Sequence, residues 1–295
     1  APAADTTPLK RMLVEAFGFL HFRNGQEWAM QRALSGLNSL LVMPTGAGKS
    51  LCYMLPATLL PGLTLVVSPL ISLMQDQLRK LPVQLPGACF GGGMSVQEVA
   101  HLSSMVLRGY IKVLFVSPEK LCTPSFRKLM RDLAYNRRQG GPEPSRECLT
   151  NPISLMCVDE AHCLSQWSYN FRPAFLRIHR EITHLRPRAV IALTATAPPH
   201  IQTDIMSHLQ VPPEDGLCAL PSRRNNLYMY ARKIESSERM DVILSIIKES
   251  CQQHAMGMGD EENAGEVAPE AAGSLERRGN LSKRRQARNQ QQQQQ

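Results

Sequence analysis

The chain has 295 residues, of which 43% are hydrophobic, and 33 Lys+Arg against 25 Asp+Glu give a formal net charge of +8. That apolar content fills a sizeable core, which excludes collagen-like, wholly disordered and small peptide-scaffold classes. There is no run of about 18 uncharged apolar residues, and Ala1 to Pro8 lacks the basic start and apolar stretch of a secretory signal, so a soluble, intracellular protein without a membrane partner is expected.

Residues 1–8 are expected to be a flexible start. From about Leu9 to Leu209, short apolar runs alternate with longer helical patterns. Leu40 to Met43 leads through a glycine-rich turn into a helix predicted over Lys49 to Leu60. Leu63 to Val67 is followed by a helix over Leu70 to Leu81, and Val113 to Val116 forms the next run. Ile153 to Val158 precedes a helix over Pro173 to Leu185, and Val190 to Leu193 one over Pro199 to Leu209. Each run is apolar at consecutive positions rather than alternating, the pattern of strands buried on both faces. The order predicts an α/β fold, a parallel sheet with helices on both faces.

Tyr135 to Pro152, which holds Arg137-Arg138, Gly140-Gly141, Pro142 and Pro144, reads as an exposed loop. Beyond Cys251 the composition turns acidic (Asp260 to Glu276), then basic (Arg277 to Arg288), then polyglutamine (Gln290 to Gln295). Such a stretch buries too little apolar surface to offset chain entropy, so residues 251–295 are expected to be disordered. This tail is neutral in sum, which leaves the basic excess on residues 1–250. The excess suits a polyanionic partner, nucleic acid first, or a merely solvated basic surface. The eight cysteines are scattered without metal-ligand spacing and read as reduced, mostly buried thiols.

Directly after the first strand comes Pro44-Thr45-Gly46-Ala47-Gly48-Lys49-Ser50, in the strand, glycine loop, helix arrangement of a P-loop. Glycines let backbone N–H groups turn in around phosphates, and the helix amino terminus adds partial positive charge. Lys49 would reach the β and γ phosphates, and the Ser50 hydroxyl would ligate Mg²⁺. Met43 stands where the strict pattern has glycine, and Gly-Ala-Gly-Lys-Ser also fits a turn ahead of a helix cap. A second signal lies in Val158-Asp159-Glu160-Ala161-His162, carboxylates at the end of a buried parallel strand, where such sheets bind ligands. Asp159 would hold Mg²⁺ and Glu160 would deprotonate an attacking water; the alternative is that Asp159 caps the next helix.

Five ordered motifs resemble those of superfamily 2 helicases and, more narrowly, the RecQ family of DNA helicases. They are Phe17 to Gln26, Met43 to Ser50, Ser68 to Gln77, Asp159 to Pro173 and Ala192 to Ala197. The resemblance covers Leu9 to Tyr230 and implies a RecA-like lobe. It assigns Phe19, Arg23 and Gln26 to the adenine of ATP, and Thr45, Gly46, Ala47, Gly48, Lys49 and Ser50 to its phosphates. Catalysis falls to Lys49, Asp159, Glu160 and His162, with Ser50 and Asp159 on Mg²⁺. One DNA strand would lie along Ser68, Pro69, Ser72, Met74 and Gln77, with Ser117-Pro118-Glu119 a weaker part of the same surface. Ser165 to Pro173 resembles the aromatic-rich loop of these enzymes, in which Trp167, Phe171 and Arg172 meet single-stranded DNA. Trp167 and Phe171, four residues apart, also suit a hydrophobic core. Ser168-Tyr169-Asn170 replaces the usual Gly-His-Asp and resembles the Rothmund–Thomson branch. Thr194 and Thr196 match the motif that couples nucleotide state to strand separation.

The resemblance implies ATP-dependent 3′ to 5′ unwinding of DNA in replication, repair and recombination, with ATP and Mg²⁺ as cofactors, single-stranded or duplex DNA as partner, and a nuclear location that Lys283-Arg284-Arg285 supports weakly. Residues 9–230 would form lobe one and residues 231–250 a helix leading toward a second lobe. Where that lobe's motifs would begin the sequence becomes low in complexity, so this chain is expected to bind nucleotide and DNA without unwinding alone. Two other readings remain, a DEAH-type RNA helicase and a non-catalytic binding fragment.

Overall fold

A computed structural model describes residues 7–140, 152–165, 173–221, 231 and 233–256, with the side chains of 137–140 and 251–256 outside that description. The chain divides into two units, Ala1–Asn225 and Asn226–Gln295. In the first, α1 (Pro8–Phe17) and α2 (Gln26–Leu34) precede β1 (Ser39–Val42), α3 (Leu51–Leu59), β2 (Leu63–Val67), α4 (Ile71–Arg79) and β3 (Gly87–Phe90). Then come α5 (Val96–Leu107), β4 (Val113–Val116), α6 (Pro118–Leu121), α7 (Pro124–Gly140), β5 (Ile153–Val158) and a 3-10 turn, Ala161–Leu164. The unit finishes with α8 (Pro173–Leu176), α9 (Ile178–Leu185), β6 (Val190–Thr194), α10 (Pro199–Leu209) and β7 (Leu217–Ala219). The second unit holds a 3-10 turn, Ser236–Glu238, and α11 (Arg239–Met256).

The seven strands form one sheet in the order β3-β4-β2-β5-β6-β1-β7, and every neighbouring pair is parallel. Parallel pairing brings all the strand ends to one edge, so the segments starting at Met43, Ser68, Ser117, Asp159 and Ala195 leave the sheet on the same side. Successive residues of the central strands enter opposite layers. Leu40, Leu65, Leu114, Val158 and Ala192 pack into one core with Phe126, Ile178 and Ile205. Leu41, Val66, Phe115, Cys157 and Leu193 pack into the other with Leu13, Met30 and Leu55. Consecutive burial along these strands is the reason they carry no polar alternation.

One irregularity has a local cause. Leu63 pairs with Ile153 but Thr64 pairs with Leu155, so β5 carries Ser154 as an extra residue. Gly62 lies against this bulge, and a Cβ there would stand 2.1 Å from Ser154 Oγ.

The central strands match the predicted runs, and α10 has its predicted bounds. Four expectations are corrected. Pro8 is not part of a flexible start: it opens α1, with Thr7 as cap and Gly18 closing the helix at φ 71°. Tyr135 to Gly140 are the last turns of α7 rather than loop, while residues 141–151 lie outside the described residues. The helix predicted over Pro173 to Leu185 is two helices parted at Arg177. The connecting helix runs on to Met256, past the expected boundary at 250, and residues 257–295 lie outside the description. The six described cysteines are all free. Among the described residues no helix is long and apolar enough to cross a membrane.

Candidate functional site

The loop between β1 and α3 is held from behind by the segment that opens α2. Arg23 Nη1 donates to Gly46 O at 2.6 Å, and Gln26 Nε2 donates to Ala47 O at 3.3 Å and to Gly48 O at 3.0 Å. Gln26 is buried, and its Oε1 accepts from Arg23 N–H at 2.8 Å, which fixes the amide orientation. In a trans peptide the N–H points opposite to the preceding carbonyl, so these bonds turn the N–H groups of Gly48 and Lys49 away from α2. Gly46 and Gly48 permit this with φ of +81° and +87°. At Gly48 a Cβ would also stand 2.7 Å from Gln26 Nε2. Lys49 Nζ folds back over the loop and donates to Met43 O at 3.1 Å. The Met43 side chain is buried in the core beneath, so its departure from glycine leaves the loop's ligand side clear.

The acidic pair follows β5 at the same sheet edge. Glu160 takes a left-handed conformation, φ 50° and ψ 46°, which is strained for a residue with a side chain. Its N–H donates to Asp159 Oδ1 at 3.0 Å. Burial and then the Glu160 charge raise the Asp159 carboxyl to about 6, and Lys49 and His162 pull it back only in part. The Glu160 carboxyl is lowered, first by its hydrogen bond with His162 and also by the charge of Lys49. Lys49 is therefore near enough to act on both acids. His162 Nδ1 lies 3.3 Å from Glu160 Oε2 and 3.0 Å from Thr194 Oγ1. Since Thr194 gives its own proton to Thr196 O at 3.2 Å, the imidazole carries hydrogen on Nδ1 and donates to both oxygens. Contacts with Cys163 and Glu160 push His162 up to about 9.

Among the described residues no group of three or more His, Cys, Asp or Glu side chains is placed to cage a metal. A dedicated protein cage is not what Mg²⁺ requires, because it keeps water and phosphate oxygens as most of its ligands. The donor set suits it. Burial raises the Tyr53 hydroxyl most, the Asp159 charge adds to it and Ser50 lowers it, so Ser50 and Asp159 both act on this buried phenol.

Other sequence-predicted residues are divided by the structure. Phe19 is 54% exposed, so its ring is available for stacking. Arg23 and Gln26, assigned to a base, are engaged with the phosphate loop in this state. In the segment after β2, Ser72 is exposed, whereas Ser68 and Pro69 are buried and Met74 is fully enclosed beneath α4. The Met74 side chain lies on the core-facing side of α4 and the Ser68 hydroxyl is buried at the end of β2, so of this segment's side chains Ser72 is the one open to solvent among Ser68, Ser72 and Met74. Gln77 Oε1 accepts from Tyr53 at 3.3 Å. Thr194 is buried and Thr196 exposed. Trp167, Phe171 and Arg172 lie outside the described residues.

Sequence reasoning missed Tyr53, Gln202 and Asp204. Gln202 Nε2 donates to Ala197 O at 2.7 Å, and Asp204 Oδ2 accepts from Ser165 Oγ at 2.7 Å. The only signal for Gln202 and Asp204 was position, on the helix immediately after the Ala192 to Ala197 motif, and for Tyr53 its place on the helix after the glycine loop.

A glycine loop after a central parallel strand, faced by an acidic pair at the end of another, defines a P-loop NTPase domain of RecA-like architecture. The profile of the DEAD/DEAH box helicase family matches residues 23–204, and the chain belongs to that family. Its sequence is 40% identical over 211 residues to ATP-dependent DNA helicase Q-like 5 of Arabidopsis thaliana, covering 71% of this chain and 21% of that protein. To ATP-dependent DNA helicase Q4 of Mus musculus it is 41% identical over 246 residues, covering 82% of this chain and 19% of the relative. To ATP-dependent DNA helicase RecQ of Haemophilus influenzae it is 35% identical over 230 residues, covering 78% and 34%. The RecQ resemblance read from the motifs thus holds. The chain spans between a fifth and a third of the length of these relatives.

Proposed function

We propose that this chain carries the ATP- and DNA-binding lobe of a RecQ-type helicase that translocates 3′ to 5′ in DNA replication, repair and recombination, and acts in the nucleus. The observation that supports this most is the shared sheet edge, at which the glycine loop after β1 and the Asp159-Glu160 pair after β5 both leave the parallel sheet.

In this reading the N–H groups of Gly48 and Lys49 and the amino end of α3 receive the triphosphate, and the Lys49 ammonium exchanges Met43 O for the terminal phosphates. Exposed Phe19 stacks on the base. Ser50 and Asp159 hold Mg²⁺, which when bound supplies positive charge to the phosphate oxygens. Glu160, kept ionised by His162, orients a water and accepts its proton. His162, Thr194 and Thr196 carry the state of that carboxylate toward the end of β6. Ser72, Trp167, Phe171 and Arg172 meet a DNA strand through its phosphates and base faces. An arginine supplied by a second lobe is worth about 10³ to 10⁵ in rate, so the chain assayed alone turns over slowly and does not unwind.

The test is the thermal melting of the 295-residue chain with Mg²⁺ and ATP. A ligand at about 100 times its Kd stabilises the native state by about 2.7 kcal/mol, which raises the Tm by several degrees. Lys49→Ala should abolish the shift. A native chain whose Tm ignores Mg-ATP would overturn the reading.

A further inference from the structure

Hydrogen bonds at the acidic strand end close into a ring through α10. Glu160 meets His162 at 3.3 Å, His162 meets Thr194 at 3.0 Å, and Thr194 donates to Thr196 O at 3.2 Å. The next residue, Ala197, accepts from Gln202 Nε2 at 2.7 Å, which ties the segment after β6 to α10. Two residues on, Asp204 Oδ2 accepts from Ser165 Oγ at 2.7 Å. Ser165 directly follows the 3-10 turn Ala161–Leu164, which leads back to Glu160. Ser165 and Thr194 are fully buried, so water does not compete readily at these two nodes. A carboxylate accepting a buried hydroxyl at this distance makes a charge-assisted bond, stronger than a neutral one.

We infer that Asp204 is a positioning residue that fixes Ser165, the point where the chain leaves the acidic turn toward residues 166–172, in the same frame as Glu160. The inference rests on the functional reading above, in which Glu160 serves hydrolysis and residues 166–172 meet DNA. Asp204 then touches neither nucleotide nor DNA, and what it controls is the linkage between them. A bond that merely fastened α10 to the turn would affect stability and leave the linkage alone.

The experiment uses the purified 295-residue chain. Binding of a fluorescent, non-hydrolysable ATP analogue with Mg²⁺ is measured with and without a saturating single-stranded oligonucleotide, and oligonucleotide anisotropy with and without the analogue. The two directions must return one linkage factor, expected to be about fivefold or more in the native chain. Asp204→Ala should bring the factor to near one while each ligand alone binds as before, and Ser165→Ala should lower the factor in the same way. Asp204→Asn, whose amide oxygen still accepts the Ser165 proton, should keep most of it. Retention of the native factor in Asp204→Ala and Ser165→Ala, whatever happens to Tm, would overturn the proposal. So would a native chain that binds both ligands independently, although nucleotide binding itself would then stand. A native chain that binds no nucleotide would instead sink the functional reading, and the inference with it.

Discussion

His162 Nδ1 stands 3.0 Å from Thr194 Oγ1, so the turn after β5 and the end of β6 are joined by side chains as well as by the sheet. Thr194→Val removes the hydroxyl and keeps the shape. His162 retains Glu160 as acceptor and Thr196 O loses its donor, so the cost should be about 1 kcal/mol, or a few degrees in Tm. The sharper readout is the imidazole Nδ1–H resonance in NMR spectra, which should shift and exchange faster with water.

Arg127 of α7 reaches Glu181 of α9 with two nitrogens; Nε lies 2.9 Å from Oε2, and Nη2 contacts Oε1. The Glu181 side chain is completely buried while that of Arg127 is 40% exposed. Arg127→Ala strands a buried carboxylate and should destabilise the chain by about 3 kcal/mol, near the low end for a broken buried pair because water enters from the arginine side. Adding Glu181→Gln should restore part of the lost Tm. Equal melting of the single and double variants would refute this account.

Gly62→Ala should lower stability by about 1–3 kcal/mol through overpacking, since the new methyl would meet Ser154 Oγ at 2.1 Å and Pro152 O at 2.9 Å. Ser154→Gly in the same chain should recover part of the loss, because the serine contact is relieved and the backbone contact remains. Urea unfolding midpoints compare the three variants.

Arg32 lies 2.9 Å from Asp215 Oδ2, and its hydrogen bond holds the Asp215 carboxyl below the usual range. A folded-state pKa below the unfolded one adds stability that is present above the unfolded pKa and lost as pH falls through the folded value. The stability difference between the native chain and Asp215→Asn should therefore be visible at neutral pH and vanish in acid below the ordinary carboxylate range. A difference that persists unchanged at low pH would show that the pair contributes through shape alone.

The central strands were legible because residues such as Leu65, Phe115 and Cys157 are buried on both faces, which writes an uninterrupted apolar run into the chain. The two edge strands were not. Gly87–Phe90 is mostly half-buried and opens on glycine, and Leu217–Ala219 spans three residues, so neither carries a run long enough to register. The helix α5 carries a start signal in its sequence, the capping box of Ser95 with Glu98. At the candidate site, residue types and spacing single out Lys49, Asp159 and Glu160, which the parallel sheet brings to one edge. Which way Ser68 and Met74 point depends on the twist of β2 into α4, and the grip of Asp204 on Ser165 spans 39 residues of sequence, so both needed the folded chain.

Glu160 keeps a backbone conformation that glycine would adopt without strain. Selection for heat resistance alone would therefore tend to erase this side chain, and, on the hydrolytic role proposed for Glu160, a sturdier protein with an inert centre would result. Its persistence across variants evolved under different pressures would measure how much turnover matters to the organism relative to robustness.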